Sequence, residues 1–141
     1  IADAGADMII GSHVHVIQPV DVVTSADGRK VYVAYGLGNF YCDQRTRYAD
    51  AGVMLQYVIE KTGDTTELKD ISVIPTLIMR YKVNGRTTFQ VLPAKKYIER
   101  YEQGQASFLS EANVALLRQT YQDTIQHLTN PAIKFMESEE K

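Results

Sequence analysis

Up to Leu92 the apolar positions mostly alternate with polar ones, which is the spacing of strands, and beyond it they recur every three or four residues, the spacing of helices. Ile1-Ala2-Asp3-Ala4-Gly5 reads as the last turn of a helix capped by Gly5, and Asp7 to Gly11, with Met8-Ile9-Ile10 at its centre, predicts a short strand. A second strand is expected from Val16 to Ser25. Asp27-Gly28 supplies a hairpin turn, and Lys30 to Tyr35 β-branches and alternates like the returning strand. Gly36-Leu37-Gly38-Asn39 then predicts a sharp bend with positive φ or close backbone approach.

Val53, Leu55, Tyr57 and Ile59 fall at period two within Gly52 to Lys61, and Gly63-Asp64 ends that run before a strand-like stretch from Leu68 to Met79. Asn84-Gly85 is the strongest hairpin signal in the chain and joins Met79–Val83 to Thr87–Leu92. Pro93 suits a first helical turn, Ala94 to Gln103 forms helix and Gly104 stops it. Ser110 is a good N-cap for a helix from Glu111 to Leu128, whose apolar stripe is Val114, Leu117, Tyr121, Ile125 and Leu128. Asn130-Pro131 ends it, and the tail Glu137-Ser138-Glu139-Glu140-Lys141 is expected to fray. The fold class is therefore α+β: mostly antiparallel strands followed by two carboxy-terminal helices, with no internal repeat and no second-domain boundary.

Composition narrows the functional classes. A chain of 141 residues has the length of one domain and can bury roughly 70% of its unfolded surface. Lys and Arg total 15 against 17 Asp and Glu, so a dedicated nucleic-acid binder is excluded. A lone cysteine, Cys42, excludes an internal disulfide and a multi-cysteine zinc site, and reads as a small buried hydrophobe. No apolar run approaches the roughly 20 residues that span a bilayer, and the chain reads as soluble. The start, without an initiating Met and with only the end of a helix, reads as cut from something longer.

His13 and His15 stand one residue apart in the loop Gly11-Ser12-His13-Val14-His15, directly after an apolar strand. Neutral imidazole ligates Zn, Mn, Fe or Ni, and a rigid strand end fixes where such a loop begins. An H-x-H pair is equally compatible with two polar residues sharing a surface loop. In a bent loop the two rings diverge enough to serve adjacent metal ions. Asn39 is a candidate to orient a loop histidine or a substrate, against the plain reading of a turn residue. Asp7 is either a partner of a ligating imidazole or a strand-entry aspartate. Arg45 and Arg47 are candidates to contact an anionic substrate, against solvated surface arginines. His127, near the end of the second helix, reads as a solvated residue favoured by the helix dipole.

Ala4-Gly5-Ala6-Asp7-Met8-Ile9-Ile10-Gly11-Ser12-His13-Val14-His15-Val16-Ile17-Gln18-Pro19, followed by Val33-Ala34-Tyr35-Gly36-Leu37-Gly38-Asn39-Phe40, resembles the carboxy-terminal part of the bacterial capsule synthesis proteins of the CapA (PgsA) type, relatives of the calcineurin-like metallophosphoesterases. The resemblance implies that residues 1–141 are the carboxy-terminal portion of a single α/β metallophosphoesterase-like domain, a β-sandwich flanked by helices, of which this chain holds an α+β part. It implies that His13 and His15 contribute to a binuclear centre of divalent transition metals (Mn, Fe or Zn). Val14 stands where the family has proline, and Asp21 is the nearest acidic residue downstream of the pair. The family's other ligands would precede Ile1, so the isolated chain is expected to bind metal weakly or not at all and to be catalytically silent.

For the full-length protein the resemblance implies a part in making or exporting poly-γ-glutamate capsule, with capsule synthase subunits or an anionic polymer as partners. It also implies an anchor that holds the protein at the outer face of a bacterial membrane. The alternative is a metal-dependent phosphoester hydrolase. A half-sandwich with open strand edges is further expected to self-associate.

Overall fold

The computed structural model describes residues 1–135. A 3-10 turn, Ala2–Ala4, is capped by Gly5 in the left-handed region, as the opening residues suggest. Strands β1 (Met8–Ile10), β2 (Val20–Thr24) and β3 (Lys30–Ala34) form a small sheet in the order β1-β3-β2. The β2–β3 hairpin is antiparallel, whereas β1 lies parallel to β3, Met8 opposite Tyr32 and Ile10 opposite Ala34. The strand expected from Val16 begins only at Val20. Pro19, which has no N–H to give a ladder, lies just before it, and upstream only Ile17 bridges, to Leu37.

A second sheet carries β4 (Ala51–Thr62), β5 (Thr65–Val83) and β6 (Arg86–Pro93), with the two-residue β7 (Lys134–Phe135) added in parallel. The stretches expected as two strands, meeting at Met79, are one strand of 19 residues. Its first part pairs with β4 and its last part with β6, which is how one strand serves two hairpins. Pro75 falls where β7 has ended, opposite Val73, and β6 has not yet begun, opposite Thr76. A missing N–H is tolerated at such a gap.

Helices α1 (Ala94–Glu102) and α2 (Glu111–His127) follow. Pro93 is the last residue of β6 and the N-cap of α1, so it precedes the first helical turn instead of occupying it. Ser110 caps α2 in a full capping box: its hydroxyl accepts from the Asn113 N–H, and the Asn113 side chain accepts from the Ser110 N–H. The buried stripe of α2 is Val114, Leu117, Thr120 and Thr124, continued by Leu128. Tyr121 and Ile125, expected in it, are only half-buried. Thr124 meets burial by donating its hydroxyl to the Thr120 carbonyl at 2.8 Å.

Two apolar clusters hold the elements together. Leu77, Met79 and Leu92 pack against Ala106, Val114 and Leu117, fixing the helices on the second sheet. Val20 and Ala34 of the small sheet meet Val53, Ile71, Val73 and Leu128, which joins the two sheets. The fold is α+β and mostly antiparallel, as read from the pattern. The tail beyond Phe135 lies outside the described residues.

Candidate functional site

The loop after β1 carries both histidines. His13 (φ 95°) and His15 (φ 58°) adopt the left-handed backbone region. Side-chain-bearing residues there cost on the order of 1–3 kcal/mol each, strain that concentrates at functional positions. Val14 packs against Gly36, where a Cβ would stand 2.9 Å from Val14 Cγ2 and 3.2 Å from Gln18 Cγ. The bend Gly36-Leu37-Gly38 thus supplies the close approach anticipated from its glycines and lets the histidine loop rest on the exit of β3.

His15 Nδ1 lies 2.7 Å from Asn39 Oδ1. Asn39 is buried, and its amide nitrogen faces three acceptors: the carbonyls of His15 (3.2 Å) and Ala49 (2.7 Å) and the Gln44 side-chain oxygen (2.7 Å). A group surrounded by acceptors must be the NH2, so Oδ1 faces the ring and Nδ1 carries the proton. The neutral ring then keeps its lone pair on Nε2, the arrangement by which a hydrogen-bonded partner orients a ligating imidazole. His13 is exposed, and among the described residues its ring has no hydrogen-bond partner.

Other candidates are placed elsewhere. Asp7 pairs with Arg29 at 2.8 Å, which also reaches Asp27 at 2.7 Å, so Asp7 is tied to the β2–β3 turn and not to an imidazole. Asp21 accepts from Asn130 Nδ2 at 3.2 Å and anchors the segment after α2. Arg45 donates to the carbonyls of Ile78 and Cys42 at 2.8 Å and lies over the Phe89 ring, a structural clamp. Arg47 forms a forked contact with Asp123, at 3.0 and 2.7 Å, so its charge is already matched. Cys42 is half-buried with its thiol 3.8 Å from the Ala49 carbonyl.

Among the described residues no third His, Cys, Asp or Glu joins the histidines in a group able to hold a metal. Two imidazoles, one of them oriented, fit part of a ligand set and do not complete one. Missed entirely in the sequence were Gln44 and Ala49 as partners of Asn39, and Asp123 as the partner of Arg47. The Arg47–Asp123 pair spans 76 positions and leaves no local signal.

Comparison with known proteins addresses the same segment. The family described as "Bacterial capsule synthesis protein PGA_cap" matches residues 1–44, which include β1, the histidine loop, the β2–β3 hairpin and Asn39. The chain is 36% identical over 63 residues to "PGA biosynthesis protein CapA" of Bacillus subtilis (strain 168), a match covering 45% of this chain and 15% of that protein. It is also 36% identical over 63 residues to "Capsule biosynthesis protein CapA" of Bacillus anthracis, covering 45% of this chain and 14% of the relative. Over residues 1–44, about a third of its length, the chain is thus similar to the bacterial capsule synthesis family. The matches span about one seventh of those relatives' own length. No solved structure matches the chain. No helix among the described residues is long and apolar enough to cross a membrane.

Proposed function

We propose that the chain serves, within a longer protein, in the synthesis or export of a poly-γ-glutamate capsule, as part of a metallophosphoesterase-like fold. Its histidine loop offers two imidazoles to a divalent transition metal (Mn, Fe or Zn), the remaining ligands coming from elsewhere in that longer protein. The observation that carries the reading is the Asn39 contact, which fixes the His15 ring and leaves Nε2 for a ligand. When bound, such a metal would polarise a phosphoryl oxygen and acidify its water. The part of this chain is to present His15 as one tautomer and to hold the loop on Gly36.

With two ligands only, the chain alone is silent. Purified and supplied with Mn²⁺, it should not hydrolyse bis(p-nitrophenyl) phosphate, and turnover abolished by His13→Ala would overturn this. In the longer protein, replacing both histidines by alanine should lower the bound metal measured by mass spectrometry. Unchanged metal content would remove the ligand assignment.

A metal-dependent phosphoester hydrolase is the second reading, favoured by the left-handed backbone at both histidines. Turnover on a phosphoester panel by the longer protein, lost in the double variant, separates it from a purely assembly role. Exposed Tyr35, Phe40 and Tyr41 on the exit of β3 support the assembly role, as a contact for capsule synthase subunits at the outer face of the cytoplasmic membrane. Co-purification with those subunits should then survive loss of both histidines.

A further inference from the structure

A cavity of about 450 Å³ opens between the residues following the histidine loop, the β3–β4 connection and α2. Val16, Ile17, Ala51 and Leu116 give it apolar walls, and Asp50, Asp123, Arg47 and His127 bring charge or polarity to it. That size suits a small organic molecule, not a polymer. Neither His13 nor His15 lines it, although Val16, the next residue along, does.

The charges decide which molecule. Arg47 directs both arms of its guanidinium fork to Asp123, and its face lies over the Tyr48 ring, 4.9 Å from the centroid. Its charge is therefore matched by Asp123, and only Nη1 stands outside that fork. Asp50 is half-buried, and among the described residues its carboxyl receives a hydrogen bond from its own backbone N–H and from no side chain. Burial pushes its carboxyl above the ordinary value and the charge of Asp123 adds to this, while Arg45, turned toward the Ile78 and Cys42 carbonyls, pulls it back only through space. A partly desolvated carboxylate without a side-chain donor is costly. Since Arg47 matches Asp123 and Arg45 spends its N–H groups on carbonyls, Asp50 is the lining carboxylate without a side-chain donor, and a cation with an N–H to give would supply one.

We infer that this cavity binds a small organic ammonium ion, its nitrogen donating to Asp50 and its apolar body resting on Ile17, Ala51 and Leu116. Benzylammonium is the probe, with benzoate and benzyl alcohol as charge controls of like size, followed by amide NMR on the 141-residue chain. Saturable shifts at Tyr48, Asp50, Ala51 and Thr120 are expected for benzylammonium, at least tenfold tighter than for either control. Asp50→Asn should weaken binding at least tenfold.

Binding that does not saturate, equal binding of benzoate, or undiminished binding by a folded Asp50→Asn chain each overturns the proposal. Leu116→Trp, at a partly exposed wall residue, fills the cavity and covers the case in which Asp50→Asn does not fold. Lost binding there supports the site, and retained binding rejects it. None of these readouts depends on metal content, so failure here leaves the ligand role of the histidines standing.

Discussion

Asn39 and His15, 24 positions apart, are locked together through Oδ1, the one Asn39 side-chain atom that can accept a hydrogen bond from the ring. Asn39→Leu removes that acceptor and the donor to the Ala49 carbonyl in one step, leaving buried polar groups unpaired. The expected cost is about 2–3 kcal/mol in denaturant unfolding. In ring nitrogen NMR, His15 should change from the single Nδ1–H tautomer to a mixture. A variant that keeps the wild-type tautomer would show that something else orients the ring.

Gly52 tests the same unit from the backbone side. A Cβ there would lie 2.4 Å from the Asn39 carbonyl oxygen, which cannot swing away as a flexible side chain would. Gly52→Ala should lower stability by about 1–3 kcal/mol, the range for overpacking, and disturb the His15 ring signals as well. Stability lost with unchanged ring signals would separate the packing of β4 from the positioning of Asn39.

The β2–β3 turn should respond to pH through Asp27. The Ser25 hydroxyl and the Arg29 guanidinium hold its carboxyl down at about 2. Because the folded value lies below the unfolded one, about 3.9, the ionised clamp contributes fully above the unfolded value and is lost as pH falls through the folded one. The stability difference between the wild type and Asp27→Asn should therefore be flat near neutrality and close between about pH 4 and pH 2. A gap that persists at pH 2 would mean that the loss comes from packing and not from charge.

Features set by neighbours in sequence were the legible ones. The turns at Asp27-Gly28 and Asn84-Gly85, the Gly5 cap and the Ser110 cap each need only a few consecutive residues to declare themselves. Ser110→Ala should accordingly cost about 1 kcal/mol in thermal or chemical unfolding. The continuity of β5 was hidden because it depends on two strands and β7 sharing its edges around Pro75. His13 and His15 were visible as residue types, but the contact that gives His15 a defined tautomer joins two loops. Asp7 looked like a partner for an imidazole only because Arg29, 22 positions away, could not be placed beside it.

Two threonines should respond in opposite directions to the same change. Thr76 is fully buried in β5, between Gly52 of β4 and Pro93 of β6, and its hydroxyl has no partner among the described residues. Thr124, almost as buried in α2, donates its hydroxyl to the Thr120 carbonyl at 2.8 Å. Valine keeps the β-branched shape in each case and removes only the polar atom. At position 76 that atom is an unmet desolvation penalty, so Thr76→Val should raise stability by about 1 kcal/mol. At position 124 the hydroxyl completes a bond, so Thr124→Val should lower stability by about 0.5–1 kcal/mol, β-branching being the same before and after the change. If Thr76→Val proves destabilising by denaturant unfolding, its hydroxyl must be satisfied by an ordered water, and the interior of the second sheet would be wetter than its apolar lining implies.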